Sequence, residues 1–227
     1  DAHVANFGFY ASPQRTLVFD LNDFDEAAWA PWEWDVKRLV ASIVIAGQAT
    51  SRDERVVTDS ALAAVRTYAR AMTANATRSP LTRFFEHFDV DAAADSADPA
   101  TREVMQEAIR DAEKRTAERA ARRLTETVDD GRKVFIERPP TMTHVGNEVE
   151  SRLHDNMRQY RESANVDIRV LLTHYTVSDI ALRVVGVGSV GTMCTLVLLQ
   201  DGDGNSLLLQ AKEAGESVLI EHGGIAQ

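Results

Sequence analysis

The sequence predicts an α+β protein, with a mainly helical part followed by a C-terminal antiparallel β hairpin region. Apolar residues recur at helical spacing through much of residues 29–162. From Ile180 they give way to runs rich in Leu, Val and Thr, the composition of half-buried or buried strands. Those runs are separated by VGVGSVGT and by DGDGN, turn signals that carry no helix cap.

Taken in order, the opening stretch DAHVANFGFYASPQRTLVFDLNDFDE reads as loop, strand and loop, with Leu17-Val18-Phe19 as its apolar run. Trp29 to Gly47 reads as a helix. Trp34, Lys37, Arg38 and Ser42 take its polar side, Val36, Leu39, Val40, Ile43 and Val44 its apolar face, and Gly47 its stop. Ser51 with Glu54 three residues on is a capping-box pattern, opening a second helix to about Asn75. Pro80 starts a short third helix with Leu81, Phe84, Phe85 and Phe88 on one side.

Asp89 to Asp98 is acidic and poor in large apolar residues, which predicts an exposed linker; its acids lack the spacing and central Gly of a calcium loop. From Pro99 one long amphipathic helix is expected. Its stripe runs through Val104, Ile109, Ala112, Thr116, Ala120 and Leu124, residues too small for a coiled coil. DDGRKVFIERPP predicts a turn, a strand over Lys133 to Glu137 and a stop. Residues 147–162 predict a further helix carrying Val149, Leu153 and Met157.

The 227 residues suffice for a sizeable core, and 44% hydrophobic with 26% charged residues is ordinary for a globular chain. Lys plus Arg 25 against Asp plus Glu 35 gives −10, which argues against a nucleic-acid or anionic-membrane surface. Cys194 stands alone, so no internal disulfide forms, and its apolar flanks predict a buried small hydrophobe. No apolar run of about 18 residues calls for a membrane span, and the cytoplasm is the expected compartment.

The first 26 residues carry the chemistry. Phosphoryl transfer needs a carboxylate that orients and deprotonates a hydroxyl, and oxygen ligands that hold Mg²⁺ against nucleotide phosphates. Asp1 suits the first role, and Asn6 and Asp20 the second, with Asp23 and Asp25 in reserve. His3 stands between Asp1 and Asn6, whereas His87, His144, His154, His174 and His222 show no paired ligand spacing and read as structural or surface groups.

DAHVAN resembles the catalytic loop of the aminoglycoside phosphotransferase and choline kinase branch of the protein-kinase-like enzymes, His-Gly-Asp-x-His-x-x-Asn. Asp1, His3 and Asn6 match in register, and the leading His-Gly is absent. Asp20 of LVFDLND falls where that branch carries its second metal-binding Asp. Pro31 to Asp35, PWEWD, is similar to its Pro-x-x-x-Asp, with Asp35 bracing the loop. The chain starts without Met and inside a motif, and we read it as a fragment of a longer protein. The whole string, with VGVGSVGT and LLLQAKEA, resembles more closely a bacterial family named domain of unknown function 2252.

Gly186, Gly188 and Gly191 form GxGxxG between two expected antiparallel strands, the setting of a kinase Gly-rich loop rather than of a dinucleotide fold, where a helix should follow. Ser189 adds a hydroxyl at the tip. Lys212 stands in the next strand, one of only four lysines, placed to reach phosphates. In the kinase-like enzymes the Gly-rich loop precedes the catalytic loop; here it follows. The resemblance therefore implies a circularly permuted protein-kinase-like fold, with residues 1–165 as a C-lobe-like catalytic and helical region and 166–227 as an incomplete N-lobe-like region. It implies an ATP- and Mg²⁺-dependent phosphotransferase acting on a small-molecule hydroxyl. The alternatives are a metal-dependent phosphoesterase, from the Asp-x-His of Asp1 and His3, or an inactive nucleotide-binding scaffold.

Overall fold

The structure is a computed structural model that describes residues 2–12, 14–24, 27–88, 90–184 and 193–225, without the side chains of residues 91, 92 and 96. It is α+β, with a C-terminal four-stranded antiparallel sheet. Two compact units divide the chain: residues 1–113 with 215–227, and residues 114–214.

In the first unit a 3-10 turn, Val4–Asn6, leads into β1 (Phe7–Ala11), which pairs antiparallel with β2 (Leu17–Leu21). The rings of Phe7 and Phe9 pack on Phe19 at 6.4 and 5.0 Å, and Phe88 adds a fourth ring at 5.8 Å. α1 (Trp32–Ala49) starts behind Pro31 rather than at Trp29, since proline presets the first turn. Its expected apolar face is half-buried as predicted, but Ser42 belongs inside, only 7% exposed.

Gly47 is no stop: a Cβ there would stand 2.5 Å from Val57 Cγ2, so the glycine lets α1 approach α2 (Glu54–Ala76) closely. The cap of α2 is Asp53, whose carboxylate accepts from Arg55 N at 2.9 Å; Ser51, at φ 52, lies outside the helix. The two helices also stack Trp32 on Tyr68, at 5.5 Å.

α3 (Pro80–Phe85) begins behind the Ser79 cap as expected. The acidic segment after it, expected as an exposed linker, holds α4 (Val90–Ser96), in which Val90 and Ala94 are buried at 7% and 4%. Arg102 clasps its end, donating to the carbonyls of Ala94, Asp95 and Ala97.

The expected long helix is two. α5 (Pro99–Glu113) ends before α6 (Ala117–Leu124), and Thr116, expected within the apolar stripe, instead caps α6 by accepting from Arg119 N at 3.2 Å. A threonine hydroxyl competes with the helical ladder for backbone donors.

In the second unit β3 (Thr125–Thr127) pairs antiparallel with β4 (Lys133–Phe135). β5 (Met142–His144), α7 (Asn147–Ser163), α8 (Val166–Leu172), β6 (Thr176–Arg183), β7 (Cys194–Gln200) and β8 (Ser206–Lys212) follow. The sheet order is β5-β6-β7-β8. β7 is covered on both faces. Leu196 and Leu198 pack with Phe135, Met142 and Ala181, while Val197 and Leu199 pack with Leu153, Leu172 and Ile180. Burying each such large side chain contributes about 1.5–3 kcal/mol, which explains the uninterrupted apolar run.

β6 begins four residues before Ile180 because its polar start has partners: Ser178 Oγ donates to the Lys133 carbonyl at 2.7 Å, and a bulge lies between Val177 and Asp179. α9 (Val218–Gly223) returns to the first unit, where Gly223 approaches Trp34. Among the described residues no helix is long and apolar enough to cross a membrane.

Candidate functional site

His3 caps the 3-10 turn, its Nδ1 accepting from Ala5 N at 3.2 Å, and Asn6 N donates to the His3 carbonyl at 2.9 Å. The Asn6 carbonyl then accepts from Asn22 N at 2.9 Å, so the turn closes directly onto the residue after β2. Asp20 lies opposite Gly8 in the hairpin. It is exposed, and its Oδ1 accepts from Leu21 N at 2.8 Å. The hairpin thus brings Asn6 and Asp20 to one end of β1 and β2. The turn itself is anchored from α1: Val4 N donates to Ser42 Oγ at 3.0 Å. Asp35 is exposed in the first turn of α1. Asp1 and Asp25 lie outside the described residues.

Asn22 is the residue that sequence reasoning missed. Strand alternation puts it on the face of Asp20, and its carboxamide covers Gly8: a Cβ on Gly8 would stand 2.7 Å from Asn22 Nδ2. Glycine there leaves room for that carboxamide. The i, i+2 spacing of Asp20 and Asn22 was the available signal. An Asn and an Asp supply two oxygen ligands, a set that suits Mg²⁺, which takes one or two carboxylates and completes its shell with phosphate and water. Among the described residues no cluster of three or more His, Cys, Asp or Glu stands ready for a metal.

In the second unit, the strands on either side of residues 185–192 are adjacent and antiparallel, as the hairpin reading expects. Gly186, Gly188, Ser189 and Gly191 themselves lie outside the described residues. Lys212 ends β8, exposed, in register with Cys194, the first residue of β7. Glu213 then pins the approach to β7: its backbone N donates to the Met193 carbonyl at 3.0 Å, and its carboxylate accepts from Met193 N at 3.2 Å. Cys194 is buried at 4%, with Gln210 Nε2 donating to its sulfur.

The same unit holds a histidine gripped from two sides. His144 Nε2 lies 2.9 Å from Asp179 Oδ2 and its Nδ1 3.2 Å from Glu137 Oε1. Burial works against the imidazolium, but the bonds and charges of Asp179 and Glu137 outweigh it and raise the pKa above the ordinary value. The backbone amide and the ring of His144 in turn hold the Glu137 carboxyl below its ordinary range. Asp179 also accepts from Phe135 N and Ile180 N, tying β4 to β6. The cluster thereby links β4, β5 and β6 through His144 and Asp179.

No curated protein and no solved structure matches the chain. A family model does, over residues 1–226. The chain therefore belongs to the bacterial family described as uncharacterized protein conserved in bacteria (DUF2252).

Proposed function

We propose that the chain is an ATP- and Mg²⁺-dependent phosphotransferase acting on a small-molecule hydroxyl. The observation that carries this reading is the arrangement of β6, β7 and β8: two adjacent antiparallel strands flank the glycine-bearing residues 185–192, and Lys212 of the third strand stands in register with Cys194, the first residue of β7. A glycine-rich hairpin followed by a strand lysine is the apparatus that cradles nucleotide phosphates through backbone amides and one ammonium.

The N-terminal hairpin lends independent support, since it gathers Asn6, Asp20 and Asn22 at one end. In this reading Asp1 orients and deprotonates the acceptor hydroxyl, with His3 shaping the turn, and Asn6 and Asp20 hold Mg²⁺. Gly186, Gly188, Ser189 and Gly191 cover the phosphates and Lys212 pairs with them. The metal supplies charge neutralisation on the transferring phosphoryl group. The order of these parts along the chain makes the proposed kinase-like fold a circular permutation, with 1–165 C-lobe-like and 166–227 N-lobe-like.

Titration of the protein with ATP, with and without Mg²⁺, tests the reading. Binding that Mg²⁺ strengthens and that weakens about tenfold or more in Lys212→Ala supports it. A folded protein that binds no nucleotide at millimolar concentration overturns it.

A further inference from the structure

At the end of β6 and β7 remote from residues 185–192, the second unit holds a cavity of about 460 Å³, within the size range of small-molecule sites. Its floor is apolar: Met157 from α7, Leu172 from α8, Val177 from β6 and Leu199 from β7. Its rim carries Arg158 and Arg161. From Val177 to Arg183 the strand runs about 20 Å at the usual rise, so the cavity is distinct from the proposed phosphate loop.

Arg161 is held in place. Its Nη2 donates to the carbonyls of Leu172 and Tyr175, on the link between α8 and β6. Its Nε and Nη1 meet no acceptor among the described residues. A guanidinium fixed through Nη2 at the edge of an apolar hollow keeps its charge and single Nε–H or Nη1–H donors for one carboxylate oxygen. Arg158 adds charge, although Asp155 shares it at 2.7 Å. Glu162 on the same rim opposes a second anion.

We infer that this cavity binds a monocarboxylate with an apolar body, the carboxylate on Arg161 and the body over Met157, Val177 and Leu199. A dicarboxylate meets Glu162, an alcohol can accept from Arg161 but brings no charge to it, and an amine meets the wrong sign.

The test is calorimetric titration of the full chain with 3-phenylpropanoate, 3-phenylpropanol and 3-phenylpropylamine. The acid is expected to bind about tenfold or more tighter than the alcohol, with the amine weaker still. Arg161→Gln should remove the preference for acid over alcohol, Met157→Trp should weaken both by filling the hollow, and Lys212→Ala should change neither. Equal binding of acid and alcohol, no binding of the acid, or an unaltered preference in folded Arg161→Gln overturns the inference. If circular dichroism shows Arg161→Gln unfolded, Met157→Trp decides: acid binding unchanged in that variant overturns it.

Discussion

Ser42 takes the amide hydrogen of Val4 at 3.0 Å while giving its own proton to the Leu39 carbonyl at 2.7 Å, so one hydroxyl in the middle of α1 fixes the turn that contains His3 and Asn6. The serine is 7% exposed and 38 positions from its partner. Ser42→Ala leaves Val4 N without that acceptor and is expected to cost about 1–2 kcal/mol in urea unfolding. In the proposed reaction it should lower turnover by more than that stability loss explains, because the turn carrying Asn6 is released. Turnover falling no further than the folded fraction would show Ser42 to be packing alone.

Gly47 and Val57 make a second close pair. Gly47→Ala improves helix propensity by about 1 kcal/mol but drives a methyl to 2.5 Å from Val57 Cγ2, where overpacking costs about 1–3 kcal/mol. Net destabilisation is expected from thermal unfolding of the single variant. In the Val57→Ala background the same change should become neutral or stabilising, and a double-mutant cycle reads the coupling directly.

The carboxylates around His144 set a pH window. His144 has a raised folded pKa, so its contribution is fully present below the unfolded value and is lost as pH rises through the folded one. Glu137 has a lowered folded pKa, so its contribution is present above the unfolded value and is lost as pH falls through the folded one. The second unit should therefore be most stable between the two. In Asp179→Asn the His144 ring should titrate at lower pH, followed by NMR of its ring protons. An unchanged titration would locate the cause of the shift elsewhere.

In the proposed reaction, variants at Asp20, Gly8 and Lys212 should separate the part played by metal from that played by phosphate. Asp20→Asn is expected to reduce the Mg²⁺ dependence of ATP binding while leaving weak metal-free binding, whereas Lys212→Ala should weaken binding about tenfold with or without metal. Gly8→Ala should leave the melting temperature within a few degrees, because only the flexible end of Asn22 has to move, and yet diminish the Mg²⁺ effect. Calorimetry in Mg²⁺ and in chelator distinguishes these patterns.

Much of this was legible from local chemistry. The 147–162 periodicity located α7, Pro80 opened α3, and the polar DGDGN between two apolar runs marked the β7–β8 hairpin, since each signal acts within its own segment. What escaped reading depended on distant partners. Val90 and Ala94 turn an acidic stretch into α4 only because neighbours bury them, Gly47 needs Val57 to show its purpose, and nothing near Ser42 in sequence announces Val4. Thr116 was misread because a β-branched residue satisfies a helical stripe as readily as it caps. At the candidate site the motif pointed to Asn6 and Asp20, which the hairpin brings to one end, whereas the i, i+2 spacing of Asn22 from Asp20 gains meaning only beside Gly8.

β7 is enclosed by a strand on each edge and apolar packing on each face, and Leu198 has no exposed surface. Its amides have no local route to deuterium. They should exchange only when the whole second unit opens, so the slowest protons of Val197 and Leu198 clock the lifetime of that unit.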